Sequence, residues 1–70
     1  MRNFTVSTAQ DGSWWVFVIH ELGCVGQMKY RSEVRSEARL LAAFWLDVQP
    51  GEINIGRVRY MRAHWSKVLP

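Results

Sequence analysis

Hydrophobic and polar residues alternate from residue 4 to residue 10, with Phe4, Val6 and Thr8 on one side and Thr5, Ser7 and Ala9 on the other. A period of two predicts a strand. Residues 14–19, rich in aromatic and β-branched side chains, predict a second strand. Asp11-Gly12 between them predicts a two-residue type I′ turn, because Gly and Asp tolerate the positive φ it needs. That loop opposes Val6 to Phe17, Phe4 to Ile19 and Thr8 to Trp15. It gathers Phe4, Val6, Trp15, Phe17 and Ile19 on one face and leaves Thr5, Ser7, Trp14, Val16 and Val18 on the other. A three-residue loop would instead set Ser7 against Phe17 and mix the faces.

Gly23 and Gly26 bracket a turn and a short strand over residues 25–28. Ser32 then offers a helix N-cap, with Glu33 as the first helical residue complementing the dipole. The helix runs to about residue 48, where Pro50-Gly51 stops it. At 100° per residue, Val34, Ala38, Leu41, Trp45 and Val48 form one apolar stripe, which Leu40 and Phe44 widen on the Glu33/Glu37 side. Arg35 and Arg39 lie on the opposite edge with no acid three or four residues away, and read as a solvated helix back.

Residues 53–55 predict a fourth strand. The apolar parity then flips, from Ile53 and Ile55 to Val58 and Tyr60, and a bulge at Gly56 would account for it. A helical stripe of Val58, Met61, Trp65 and Val68 fits the same residues, so the segment reads as strand continuation or short helix. The layout is α+β, in the order β-β-β-α-β: an antiparallel-rich sheet with one helix packed on one face. The body spans residues 1–56 and a C-terminal extension spans 57–70. One helix leaves the second sheet face uncovered, and that face carries Trp14, Val16 and Val18. Core positions include Trp15, Phe17, Ile19 and Trp45.

Seventy residues hold one domain, and a chain this short buries only about 60% of its unfolded surface. With 49% hydrophobic and 13% aromatic residues, it is too apolar for a disordered tail. Some of that aromatic load is expected at an interface, including a homodimer contact. Cys24 is the single cysteine, so no internal disulfide forms and a reducing, cytoplasmic setting is expected. No apolar run approaches the roughly 20 residues of a membrane span, and no apolar leader follows Arg2. The formal charge of +3 is uneven: residues 1–56 carry five Lys/Arg against six Asp/Glu, whereas residues 57–70 carry Arg57, Arg59, Arg62 and Lys67 with no acid.

Candidate chemistry is thin. His20, Glu21 and Cys24 are the one cluster of catalytic residue types, and a Cys–His nucleophile needs an oriented base and an oxyanion site in a cleft. Zinc would need three or four ligands, with His64 the one histidine left to add. The predicted strands carry no cluster of carboxylates able to hold Mg²⁺. No catalysis, metal or cofactor is expected, and Cys24 reads as a small buried filler. Arg57, Arg59, Arg62 and Lys67, with Tyr60 and Trp65 interleaved, could contact nucleic acid through phosphates and stacking. Four charges are few for stable DNA binding, so a final strand with solvated arginines, its amphipathic end packed on the body or a second copy, is the expected reading.

One ordered series of residues goes further. Asp11-Gly12-Ser13-Trp14-Trp15, then Glu21-Leu22, Gly23-Cys24-Val25 and Gln27, then Glu33, Ala38-Arg39 and the run Trp45-Leu46-Asp47-Val48-Gln49-Pro50 resemble short actinobacterial-type members of the HicB antitoxin family. The resemblance covers roughly residues 4–56. It implies a degenerate RNase-H-like domain without catalytic acids, which inhibits HicA, a small mRNA-cleaving ribonuclease toxin, by occlusion. Family members usually continue into a DNA-binding domain; the 14 residues after residue 56 are too few for one, so operator binding is not expected. His20 stands where the family often has Pro, and Val18 where relatives often place an acid. An orphan on a phage or mobile element, capturing a host protein through the same apolar face, is the alternative. The partner or self interface is expected at Trp14, Val16, Val18, Val58 and Tyr60.

Overall fold

The structure, a computed structural model, describes residues 2–62. It is an α+β fold in which one helix packs on a four-stranded mixed sheet. Strands β1 (Arg2–Asp11), β2 (Trp14–Ile19) and β3 (Cys24–Met28) run antiparallel. A 3-10 turn, Arg31–Glu33, leads into helix α1 (Val34–Leu46), and a second, Pro50–Glu52, leads into β4 (Ile53–Tyr60). The spatial order is β3-β2-β1-β4, with β4 parallel to β1. A parallel return needs a crossover, and α1 supplies it.

The β1–β2 register differs from the predicted one by two residues. Val6 faces Ile19, Thr8 faces Phe17 and Asp11 faces Trp14, so the two loop residues are Gly12-Ser13. Gly12 has φ 63° and Ser13 does not share the positive φ, as in the Gly-X pattern of a II′ hairpin rather than the type I′ turn predicted at Asp11-Gly12. A shift of two preserves parity, so the two faces are composed as the alternation requires.

The helix face does differ. Val34, Ala38, Ala42 and Ala43 are buried, while Trp45, predicted in the core, is 60% exposed and Phe44 is 83% exposed. The alanines decide this. Their small side chains let α1 approach the sheet along the 34–38–42 row, rotating it toward Arg35 and lifting Leu40 and Phe44 away from the core. The helix begins one residue later than predicted and ends at Leu46, where Asp47 takes the left-handed conformation (φ 56°). The Val48 N–H then reaches the Ala43 carbonyl at 3.0 Å and the Asp47 N–H the Phe44 carbonyl at 3.3 Å, the paired bonds of a Schellman stop. At the other end, the Glu33 carboxylate accepts the Tyr30 N–H at 3.2 Å; no bond from the expected cap, Ser32, is made there.

Strand β4 continues through residue 60, so the division at residue 56 falls inside a strand. The register slips between Phe4/Ile55 and Thr5/Arg57, which places the bulge at Gly56. Beyond it, Val58 pairs with Val6 and Tyr60 with Thr8, on the helix side, while Arg57 and Arg59 pair with Thr5 and Ser7 on the other side. The core lies between sheet and helix and includes Phe4, Val6, Phe17, Ile19, Met28 and Ile55.

Candidate functional site

The register brings one chemically distinctive group of side chains to a single end of the sheet. Trp14 pairs with Asp11 at the hairpin, Trp15 pairs with both Gln10 and Met28, and Tyr60 pairs with Thr8. Lys29 to Arg31 leave the end of β3 at the same place. The Arg31 guanidinium faces the Tyr60 ring at 5.0 Å and the Trp15 ring at 5.9 Å, and the Lys29 ammonium lies 5.6 Å from the Tyr30 ring. Each such contact contributes about 0.5–1 kcal/mol at an exposed site. Trp15 is half-buried, whereas Trp14, Tyr30 and Tyr60 are exposed. Trp, Tyr and Arg are the residue types that dominate the energetics of protein interfaces.

Of the five residues expected at an interface, this end contains Trp14 and Tyr60. Val16 and Val18 are buried within the chain, at 6% and 0% exposure, so they offer no surface to a partner. Met61, just past β4, packs against Ala9 and Val18, and its N–H donates to the Thr8 carbonyl at 2.8 Å. The second sheet face is therefore not the open apolar plane that patterning predicts. Val58 lies on the opposite face, half-buried against the core. Sequence patterning misses Arg31 as the partner of both Trp15 and Tyr60. The parallel return of β4 brings them together, and no local period encodes that.

The basic residues separate. Arg57 and Arg59 are exposed on one side of β4, and Arg62 is exposed beyond it; Trp65 and Lys67 lie outside the described residues. Arg35 is not a free helix-back arginine, since it donates to the Ile55 carbonyl beside the bulge.

The His20, Glu21 and Cys24 cluster also comes apart. Cys24 joins the core, where burial pushes its thiol pKa up and keeps it protonated. His20 Nε2 lies 2.6 Å from Ser7 Oγ, with the donor set by the imidazole tautomer. That pair has the residue types of a nucleophile and base, yet Ser7 is 4% exposed in mid-strand. The Glu21 carboxylate accepts the Thr5 N–H at 2.8 Å and thus ties the β2–β3 loop to β1. Partial burial pushes the Glu21 pKa up, but the bonds from Thr5 and from its own N–H, with the nearby His20, outweigh this and leave it below the ordinary value. Among the described residues, no group of three or more His, Cys, Asp or Glu is placed to hold a metal ion, and no helix is long and apolar enough to cross a membrane.

Comparison with family models, with curated proteins and with solved structures gives no match.

Proposed function

We propose that this chain is a non-catalytic protein-binding module of the HicB-antitoxin type, which silences a small HicA-like ribonuclease by covering it. The observation that carries the reading is the cluster at one sheet end, where Arg31 is held against Trp15 and Tyr60, with Tyr30 exposed next in the chain and Trp14 exposed on the opposite face of the same end. Rigid aromatic and arginine side chains, already positioned by strand pairing, lose little entropy when a partner docks on them. The β-β-β-α-β element order accords with the resemblance carried by the DGSWW and WLDVQP runs. Its place of action in this reading is the cytoplasm, where the toxin meets mRNA.

Co-expression with the HicA-type ribonuclease reading frame adjacent to the gene tests the proposal. The two chains should co-purify and growth should be restored. Trp14→Ala or Arg31→Ala should weaken the complex at least tenfold, as expected for a residue at the centre of an interface. A chain that neither binds nor silences the ribonuclease overturns the reading, as does the lack of any such neighbouring frame.

A further inference from the structure

The sheet has two edges, β4 and β3, and they are finished differently. An edge strand directs part of its backbone N–H and C=O groups outward, and proteins usually block it with charges, proline or a bulge. Strand β4 has such guards: the bulge at Gly56, the exposed Arg57 and Arg59, and Arg35 on the Ile55 carbonyl. Strand β3 has no charged residue, proline or bulge. Among the described residues, none hydrogen-bonds to its outer side. Alongside it runs an open groove of about 350 Å³, lined by Gly26 and Gln27 on the strand and by Glu37, Leu40 and Leu41 on the helix, with Phe44 at one end. The Phe17 ring, packed against Gly26, is its floor. Gly26 and Gln27 are consecutive and face opposite sides of the sheet, so a hollow that touches both opens on the backbone edge of the strand. The groove adjoins the aromatic end, where Met28 closes β3 beside Trp15.

We propose that an extended peptide segment of a partner adds to β3 as a fifth strand, resting an apolar side chain on Leu40, Leu41 and Phe44 and setting a Lys or Arg two residues away beside Glu37. In this mode of recognition backbone bonds give affinity and pockets for alternate side chains give specificity. The unguarded edge calls for a row of backbone donors and acceptors, which an extended chain supplies. The helix wall calls for an apolar side chain, since Leu40 is 52% exposed and Phe44 83%. Glu37 calls for a cation: it is half-buried in the groove wall and makes no hydrogen bond or ion pair among the described residues. The spacing agrees as well. Glu37 and Leu41 stand one helical turn apart, about 5.4 Å, close to the roughly 6.8 Å between alternate side chains of a strand. A second copy adding its own β3 about a twofold axis would instead bring a second Glu37 to the same side of the joined sheet, like charge towards like. A basic, apolar peptide meets the opposite charge.

Fluorescence anisotropy with the full chain and two labelled peptides, Gly-Thr-Leu-Thr-Lys-Thr-Gly and the reversed order Gly-Thr-Lys-Thr-Leu-Thr-Gly, tests this. At least one should bind saturably below about 1 mM, and the order that binds better gives the direction of the added strand. Backbone N-methylation of that peptide, either at Leu and Lys or at the Thr residues, leaves the protein untouched. One methylated form should lose binding and the other keep it, because alternate N–H groups face the edge. Leu40→Glu should weaken binding at least tenfold with the circular dichroism spectrum unchanged. Glu37→Lys should weaken it about fivefold and turn the preference towards a peptide with Glu in place of Lys. Failure of the wild type to bind either peptide overturns the proposal, as does equal behaviour of the two methylated forms or a preference that Glu37→Lys does not reverse. A dimer in sedimentation equilibrium that Leu40→Glu dissociates would give the edge to a second copy and overturn it too. These assays contain no ribonuclease, so the toxin-binding reading stands or falls separately.

Discussion

At the scale of single residues, the smallest side chains decide the most. Gly26 pairs with Phe17 across β2 and β3, and a Cβ built on it would stand 2.5 Å from the Phe17 ring. Phe17 is 2% exposed and held by the core, so it has little room to move aside. Gly26→Ala should therefore lower stability by about 1–3 kcal/mol through overpacking, measurable as a fall in urea midpoint. An unchanged midpoint would show that the Phe17 ring yields freely. Thr8 illustrates the opposite, a polar group that costs little although fully buried, because its hydroxyl donates to the Val16 carbonyl at 2.7 Å. Neither role is visible in the sequence. Gly26 reads as a turn marker until its strand partner is known, and Thr8 reads as one more member of an alternating run.

At the scale of elements, strand faces were legible and their registers were not. Parity alone assigns Phe4, Val6, Phe17 and Ile19 to the core, and a hairpin shifted by two residues keeps that assignment intact. The choice between Asp11-Gly12 and Gly12-Ser13 as the loop leaves no trace in the hydrophobic pattern. The helix face was misjudged for a different reason: a pattern weighted by hydrophobicity favours Trp45 and Phe44 over Ala38 and Ala42, whereas close approach to a sheet favours the alanines. The bulge at Gly56 was legible from the parity flip, but its support was not. Arg35 reaches from α1 to the Ile55 carbonyl beside it, linking the helix to β4, which runs parallel to β1. Arg35→Ala should cost about 1–2 kcal/mol, the worth of a partly exposed bond from a charged donor. Arg39→Ala on the same helix, at an exposed position, should stay within about 0.5 kcal/mol. Equal effects of the two in denaturant unfolding would remove Arg35 from the bulge's support. Of the proposed partner site, Trp14 and Tyr60 were legible as surplus aromatics near strand ends, and Arg31 was not, because only the crossover brings it to Tyr60.

At the scale of the whole molecule, a 70-residue chain has little stability to spare, so each tie between strands outside the core matters. Glu21 makes one: its carboxylate holds the Thr5 N–H and so ties the β2–β3 loop to β1. The bonded, ionised form is favoured in the fold, which sets its pKa below the ordinary carboxylate value. A group whose folded pKa is depressed contributes stability above its unfolded pKa and loses that contribution as pH falls through the folded one. The contribution is therefore complete near neutrality and disappears over roughly pH 5 to 3. Glu21→Gln cannot titrate and accepts the Thr5 N–H only through a neutral amide oxygen. Its melting temperature should lie below that of the wild type at pH 7, and the gap should close on acidification as the wild-type carboxyl takes up its proton. The five other carboxylates remain in both chains, so their titration cancels in the comparison. Two melting curves that run parallel from pH 7 to pH 3 would mean that the Glu21 charge is not coupled to folding and that the loop is fastened by its backbone bonds, such as His20 N–H to the Thr5 carbonyl at 3.0 Å.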